Sequence, residues 1–133
     1  ILDLMNNLKK RFGTSILLIT HDLGVVAEMA QSVAVMYAGQ IVEYARVEAL
    51  FSNPRHPYTI GLMASIPSFD EPIPPDRMLT AIPGIVPSLI GLPPGCTFRE
   101  RCSRVSARCG QESIPLVDTG DGHMVRCRHH DTE

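Results

Sequence analysis

Long apolar runs are missing from this 133-residue chain. None approaches the roughly 20 residues needed to span a bilayer, and no secretory-signal pattern opens it. A large excess of one charge is missing too. The formal net charge of −2 gives no general reason to bind nucleic acid or an anionic membrane. There is no G-x-x-x-x-G-K-[ST] stretch, so no loop of that kind cradles a phosphate. Cysteine is absent from residues 1–95, and all four cysteines fall within residues 96–133. The first residue is Ile1, not methionine, and it lies inside an amphipathic pattern. That start is expected of a cut fragment.

What is present divides unevenly. The hydrophobic fraction of 44% is enough to bury a core in one ordinary domain, and its dense runs lie in the first 65 residues. Ile1, Leu2, Leu4, Met5, Leu8 and Phe12 recur at helical spacing. Lys9, Lys10 and Arg11 suit the last turn of that helix, and Gly13 reads as its stop, so residues 1–12 are expected to form a helix with one buried face. Ser15 to Thr20 is a short apolar run rich in β-branched residues, the pattern of a strand buried on both faces of a parallel sheet. Asp22 can cap a following helix that carries Val25, Val26 and Met29. Ser32–Tyr37 and Ile41–Tyr44, joined by Ala38-Gly39-Gln40, read as a strand hairpin, with a short helix over Val47–Phe51. This order predicts an α/β fold, the incomplete end of a domain with a mostly parallel sheet. Pro57 can open a helix from Tyr58 to about Ser65. Residues 67–95 hold eight of the 11 prolines and read as an irregular connector.

His21 follows the run Ser15–Thr20. The position just past the C-terminal edge of a parallel strand is where α/β folds bind ligands, and a histidine there can donate to a phosphate or to attacking water. A surface histidine at a strand end is the plainer reading. The surrounding strings, Ile16-Leu17-Leu18-Ile19-Thr20-His21-Asp22-Leu23 and Val33 to Glu43, strongly resemble ABC-transporter ATPases. The resemblance implies that His21 is the switch residue of the H-loop, which contacts the ATP γ-phosphate and helps organise water. The phosphate loop, Q-loop, signature motif and magnesium/base element of that family do not occur here. ATP and Mg would therefore be cofactors of an intact subunit only, and this stretch alone is expected to hydrolyse nothing.

Asn53-Pro54-Arg55-His56-Pro57-Tyr58-Thr59 narrows the likeness. It resembles the His-Pro-Tyr C-terminal extension of oligopeptide, dipeptide and nickel importer ATPases. Two prolines bracket a rigid turn, and Tyr58 is expected to pack on the ATPase domain rather than to touch nucleotide or substrate.

The cysteines are Cys96, Cys102, Cys109 and Cys127, separated by five, six and 17 residues. Zinc sites usually contain a Cys-x2–4-Cys pair, which is lacking, whereas wider spacings suit thiolates spread around an iron–sulfur cluster. Arg99, Arg101, Arg104, Arg108, Arg126 and Arg128 supply half of the 12 Lys plus Arg. They could stabilise an anionic cluster or form a solvated face. An iron–sulfur cluster, zinc or another metal, and free thiols remain open on spacing alone. His123, His129 and His130 are nearby substitute ligands, but four thiols already complete a site.

Gly95-Cys96-Thr97-Phe98-Arg99-Glu100-Arg101-Cys102, then Cys109 and Val125-Arg126-Cys127, resemble the cysteine motif that ends many such importer ATPases, several of which carry a [4Fe–4S] cluster. Ser103 stands where relatives often have proline. The resemblance implies Cys96, Cys102, Cys109 and Cys127 as ligands. It also implies a second ATPase subunit, two membrane permease subunits and, indirectly, a peptide-binding protein as partners, at the cytoplasmic face of the inner membrane. Disulfides do not fit a reducing cytosol. The chain then divides into an ATPase remnant over 1–51, the His-Pro-Tyr helix and connector over 52–95, and the cysteine tail over 96–133. The rival is a metal-binding regulatory or nucleic-acid module, supported only by the tail arginines. The open sheet edge and apolar helix face also leave self-association open.

Overall fold

In the computed structural model, which describes residues 1–66 and 81–130, the chain begins with the helix α1 (Leu2–Phe12). Gly13 ends it at a φ of 62°, and its N–H returns to the Lys9 carbonyl. No α1 residue is buried, so the expected inward face has no cover among the described residues. The strand expected over 15–20 does not form. Leu17 and Ile19 are 90% and 91% exposed, and the segment pairs with no strand among the described residues. A doubly buried strand exists only where neighbours supply both its ladder bonds and its two covering layers. Asp22 caps α2 (Leu23–Met29), its Oδ1 accepting from the Gly24 and Val25 N–H groups at 2.9 and 3.2 Å.

The hairpin forms as expected. Strands β1 (Ser32–Tyr37) and β2 (Gln40–Arg46) pair antiparallel across Ala38 and Gly39, both at positive φ. That backbone twist matches the flanking strands, which is why a two-residue turn takes it. Helices α3 (Val47–Ser52) and α4 (Pro57–Ala64) follow, Pro57 sitting in the first turn where its missing N–H costs nothing.

The sheet corrects the expected topology. It is wholly antiparallel, and its outer half comes from the tail: β3 (Val117–Asp118) and β4 (Met124–Val125) complete the order β1-β2-β4-β3. The cysteine tail over 96–133 is thus partly a continuation of the hairpin. The expected parallel order rested on residues 15–20 joining the sheet, and they do not. Of the connector, 67–80 lies outside the described residues, and 81–95 contains neither helix nor strand. No described helix is long and apolar enough to cross a membrane.

One core ties these pieces together. Val35, Tyr37, Val42, Ala45 and Leu50 pack with Phe98 from the tail, and Tyr58, Leu62, Ile82, Cys96 and Cys102 lie against them. The Tyr37, Tyr58 and Phe98 rings meet at centroid distances of 4.8 to 5.4 Å, the Tyr37–Phe98 pair edge-on. Tyr58 therefore packs as its sequence context implied, and its partner includes the tail.

Candidate functional site

The four cysteines sit on three loops that converge beside this core. Gly95 allows the first approach. Its φ is 92°, and a Cβ there would stand 2.2 Å from the Cys109 carbonyl oxygen, while the Cys96 N–H donates to that same oxygen at 2.7 Å. Tight 3-10 turns over Arg99–Arg101 and Ala107–Gly110 then fix Cys102 and Cys109, and Cys127 follows directly from β4. Cys109 and Cys127 are buried.

Donors reach the sulfurs, but burial outweighs them and raises the Cys96, Cys102 and Cys127 thiols. The Arg104 and His129 N–H groups donate to Cys102 and Cys127 Sγ at 3.3 and 3.4 Å. The Phe98 and Arg99 main-chain N–H groups pull the Cys96 thiol down against its burial. Ser106 Oγ lies 3.5 Å from Cys109 Sγ. Burial pushes the Cys127 thiol up, the His129 N–H pulls it down, and Cys102, Cys96 and Cys109 push it up as facing negative charges. Burial likewise raises Cys96, with Cys102 and Cys109 adding to it, and raises Cys102, with Cys109 adding to it. All four sulfurs are thus within electrostatic reach of one another. Among the described residues, however, no three His, Cys, Asp or Glu side chains are gathered as a single metal ion requires. Four thiolates on one zinc stand about 3.8 Å apart, the edge of a tetrahedron with Zn–S near 2.3 Å.

The site rests on a buried carboxylate that the sequence reading did not single out. Glu43 is fully buried. Its Oε1 accepts from the Arg55 N–H and faces His123 Nε2, both at 2.7 Å, and its Oε2 accepts from the His56 N–H at 3.0 Å. One side chain of β2 thereby holds the His-Pro-Tyr turn and the tail. His56 Nδ1 in turn accepts from the Tyr58 N–H at 3.1 Å and caps α4. Burial lowers the His56 imidazole from 6.5 to about 4, with Glu43 pulling the other way.

The tail arginines are not simply a solvated face. Arg126 donates from Nε to the Ile41 carbonyl at 2.9 Å and from Nη1 to the Ile114 carbonyl at 2.7 Å. Arg101 reaches the Pro83 and Ile82 carbonyls at 2.8 and 3.0 Å and lies over the Tyr37 and Phe98 rings. Arg99 donates to the Pro94 carbonyl at 2.7 Å. These cations close loops. Of the nearby histidines, His123 faces Glu43, and His130 Nδ1 lies 2.7 Å from the Cys127 carbonyl. His21 stands exposed at the bend before α2.

Residues 42–109 match the family described as the C-terminal region of oligopeptide/dipeptide transporters. This chain belongs to that family. It is 51% identical over 127 residues to the oligopeptide transport ATP-binding protein AppD of Bacillus subtilis, covering 96% of this chain and 38% of the relative. It is 48% identical over 130 residues to a putative peptide import ATP-binding protein of Brucella ovis, with 96% and 38% covered. It is 44% identical over 127 residues to the oligopeptide transport ATP-binding protein OppD of Haemophilus influenzae, again with 96% and 38% covered. The chain thus spans well under half the length of these relatives.

Proposed function

We propose that this chain is the C-terminal part of the ATP-binding subunit of a bacterial peptide importer. The intact subunit pairs with a second ATPase subunit, docks on two membrane permease subunits at the cytoplasmic face of the inner membrane, and couples ATP binding and hydrolysis to uptake of a peptide handed over by a binding protein. The observation that carries this reading is the joining of the His-Pro-Tyr turn and the cysteine tail, through Glu43 and Phe98, to the hairpin that follows His21. The near-50% identity to ATP-binding proteins of peptide transport, along almost the whole chain, supports it. His21 is the γ-phosphate contact in this reading. The 133 residues alone hold no phosphate loop, signature motif or magnesium/base element, and hydrolyse no ATP. A steady-state ATPase signal from this chain that disappears with His21→Ala would sink that proposal.

Cys96, Cys102, Cys109 and Cys127 are the residues that hold a [4Fe–4S] cluster in this reading. The N–H and O–H groups near the sulfurs, and the mutual reach of the four thiols, support this reading. When bound, the cluster supplies iron–thiolate bonds that cross-link loops with few apolar residues of their own. The residues themselves do the rest: Gly95 lets two ligand loops touch, and Phe98 and Arg126 seat the tail on the hairpin. Iron with acid-labile sulfide after anaerobic purification is the expected result, and zinc without sulfide refutes the cluster. The regulatory or nucleic-acid alternative loses its footing where Arg99, Arg101 and Arg126 are held by backbone carbonyls. It predicts salt-dependent RNA or DNA binding, which the transporter reading does not.

A further inference from the structure

Two tail arginines stand apart from those that close loops. Arg108, on the turn Ala107–Gly110, is exposed and has no hydrogen bond or ion pair among the described residues. Arg128 has a buried Nε with no hydrogen-bond partner among the described residues. Its Nη2 lies 3.6 Å from Glu112 Oε2, on a carboxylate side chain that is 82% exposed. An ion pair so exposed holds weakly. Both guanidiniums line one open cleft of about 200 Å³, and Ile114, Pro115 and Val117 give it an apolar side. That side is fixed in place. Arg126 Nη1 donates to the Ile114 carbonyl, and Val117 pairs with Val125 in the sheet. The His130 ring completes the lining, with its Nδ1 2.7 Å from the Cys127 carbonyl.

We infer that this cleft binds a small organic carboxylate with a short aliphatic body. The planar fork of an arginine matches the two oxygens of a carboxylate. A turn of the Arg128 side chain toward the cleft gives Nε the acceptor it lacks, and a buried N–H without one is costly to leave. Charge sets the head group. Two guanidiniums against the Glu112 carboxylate leave a single positive charge among these groups, which a carboxylate cancels. The body follows from Ile114, Pro115 and Val117, whose side chains offer no hydrogen bonds. An apolar cavity of about 150 Å³ accepts benzene, so a ligand of about seven non-hydrogen atoms fits here. Glu112 is the internal competitor for Arg128. The site needs no metal and stands or falls separately from the iron–sulfur reading.

The test is a titration of the chain with isovalerate, in which nuclear magnetic resonance follows the Arg128 Nε–H and the Ile114 and Val117 methyl groups. All are expected to shift together and to saturate, with a Kd on the order of 1 mM. Arg108→Gln and Arg128→Gln, read at the methyl groups, are each expected to weaken binding about tenfold. Glu112→Gln frees Arg128 at an exposed position and is expected to tighten binding about threefold. Isoamyl alcohol keeps the body without the charge, and inorganic phosphate keeps charge without the body. Each is expected to bind at least about tenfold more weakly than isovalerate. Phosphate binding as tightly as isovalerate reduces the arginines to a general counterion patch and overturns the proposal, and the alcohol binding as tightly removes them from it. Shifts that do not saturate by about 10 mM overturn it as well. Should Arg128→Gln fail to fold, Glu112→Gln decides: binding that is unchanged or weaker in that variant contradicts the site.

Discussion

Glu43 and His123, 80 residues apart, meet at 2.7 Å with both side chains buried. The carboxylate also accepts two main-chain N–H groups from the turn before α4. Buried carboxylates persist only when their oxygens are filled, and these are filled from two directions. Glu43→Gln puts an NH2 group among groups that donate. It is expected to lower stability by about 2 to 4 kcal/mol, read as a fall in the urea midpoint at unchanged slope.

His56 gives a pH signature. Its imidazole falls to about 4 in the folded chain from an ordinary 6.5, because burial disfavours the charged form. Between those values the unfolded chain binds a proton that the folded chain does not. The stability contribution is therefore complete above pH 6.5 and is lost as pH falls toward 4, by about 3 kcal/mol in total. His56→Asn keeps a capping acceptor but does not titrate. Urea unfolding across pH 7 to 4 should show a shallower decline in that variant, and equal declines would contradict the account.

Gly95→Ala tests the contact between the Cys96 and Cys109 loops. The added methyl meets a main-chain oxygen at 2.2 Å, and the backbone at φ 92° disfavours any side chain. The loops must part, so hydrogen exchange at the Cys96 amide should rise sharply. Gly91→Ala, which meets nothing within 4 Å although its φ is also positive, separates steric conflict from backbone strain.

Phe98→Ala should unseat the tail. The ring is almost wholly buried and touches Tyr37, Tyr58 and His56. A loss of about 3 to 5 kcal/mol is expected, with faster amide exchange in β4 as well as in the hairpin. Exchange that quickens only near residue 98 would argue against one shared core.

Much of the local structure could be read in advance. Asp22 caps, Pro57 opens a helix, and the turn through Gly39 closes a hairpin, because each depends on neighbours in sequence. Residues 15–20 misled, since an apolar run specifies a buried strand only when partners exist to bury it. The outer half of the sheet escaped notice because β3 and β4 are two residues each, too short to show an alternating pattern. Glu43 closes the string Val33 to Glu43, whose likeness to a family says nothing of its burial. The available signal was a carboxylate inside an otherwise apolar strand. Val42 and Glu43 are both buried because the pairing shifts there: Val35 faces Glu43 and Met36 faces Ile41, so Val42 is the extra residue of a bulge and the alternation breaks. The cysteines were legible as a set, but their donors belong to loops whose meeting no spacing specifies.

The junction of β2 with β4 also sets a schedule for synthesis. At about 5 to 20 residues per second, a ribosome needs about 4 to 16 s to pass from Glu43 to His123. Throughout that interval the hairpin has its turn and ladder but lacks the imidazole that faces its carboxylate, and for most of it Phe98 is missing as well. The newborn chain therefore holds an open sheet edge beside a half-built core until β4 arrives. Premature termination in the tail would leave the hairpin in that exposed state, vulnerable to aggregation and proteolysis.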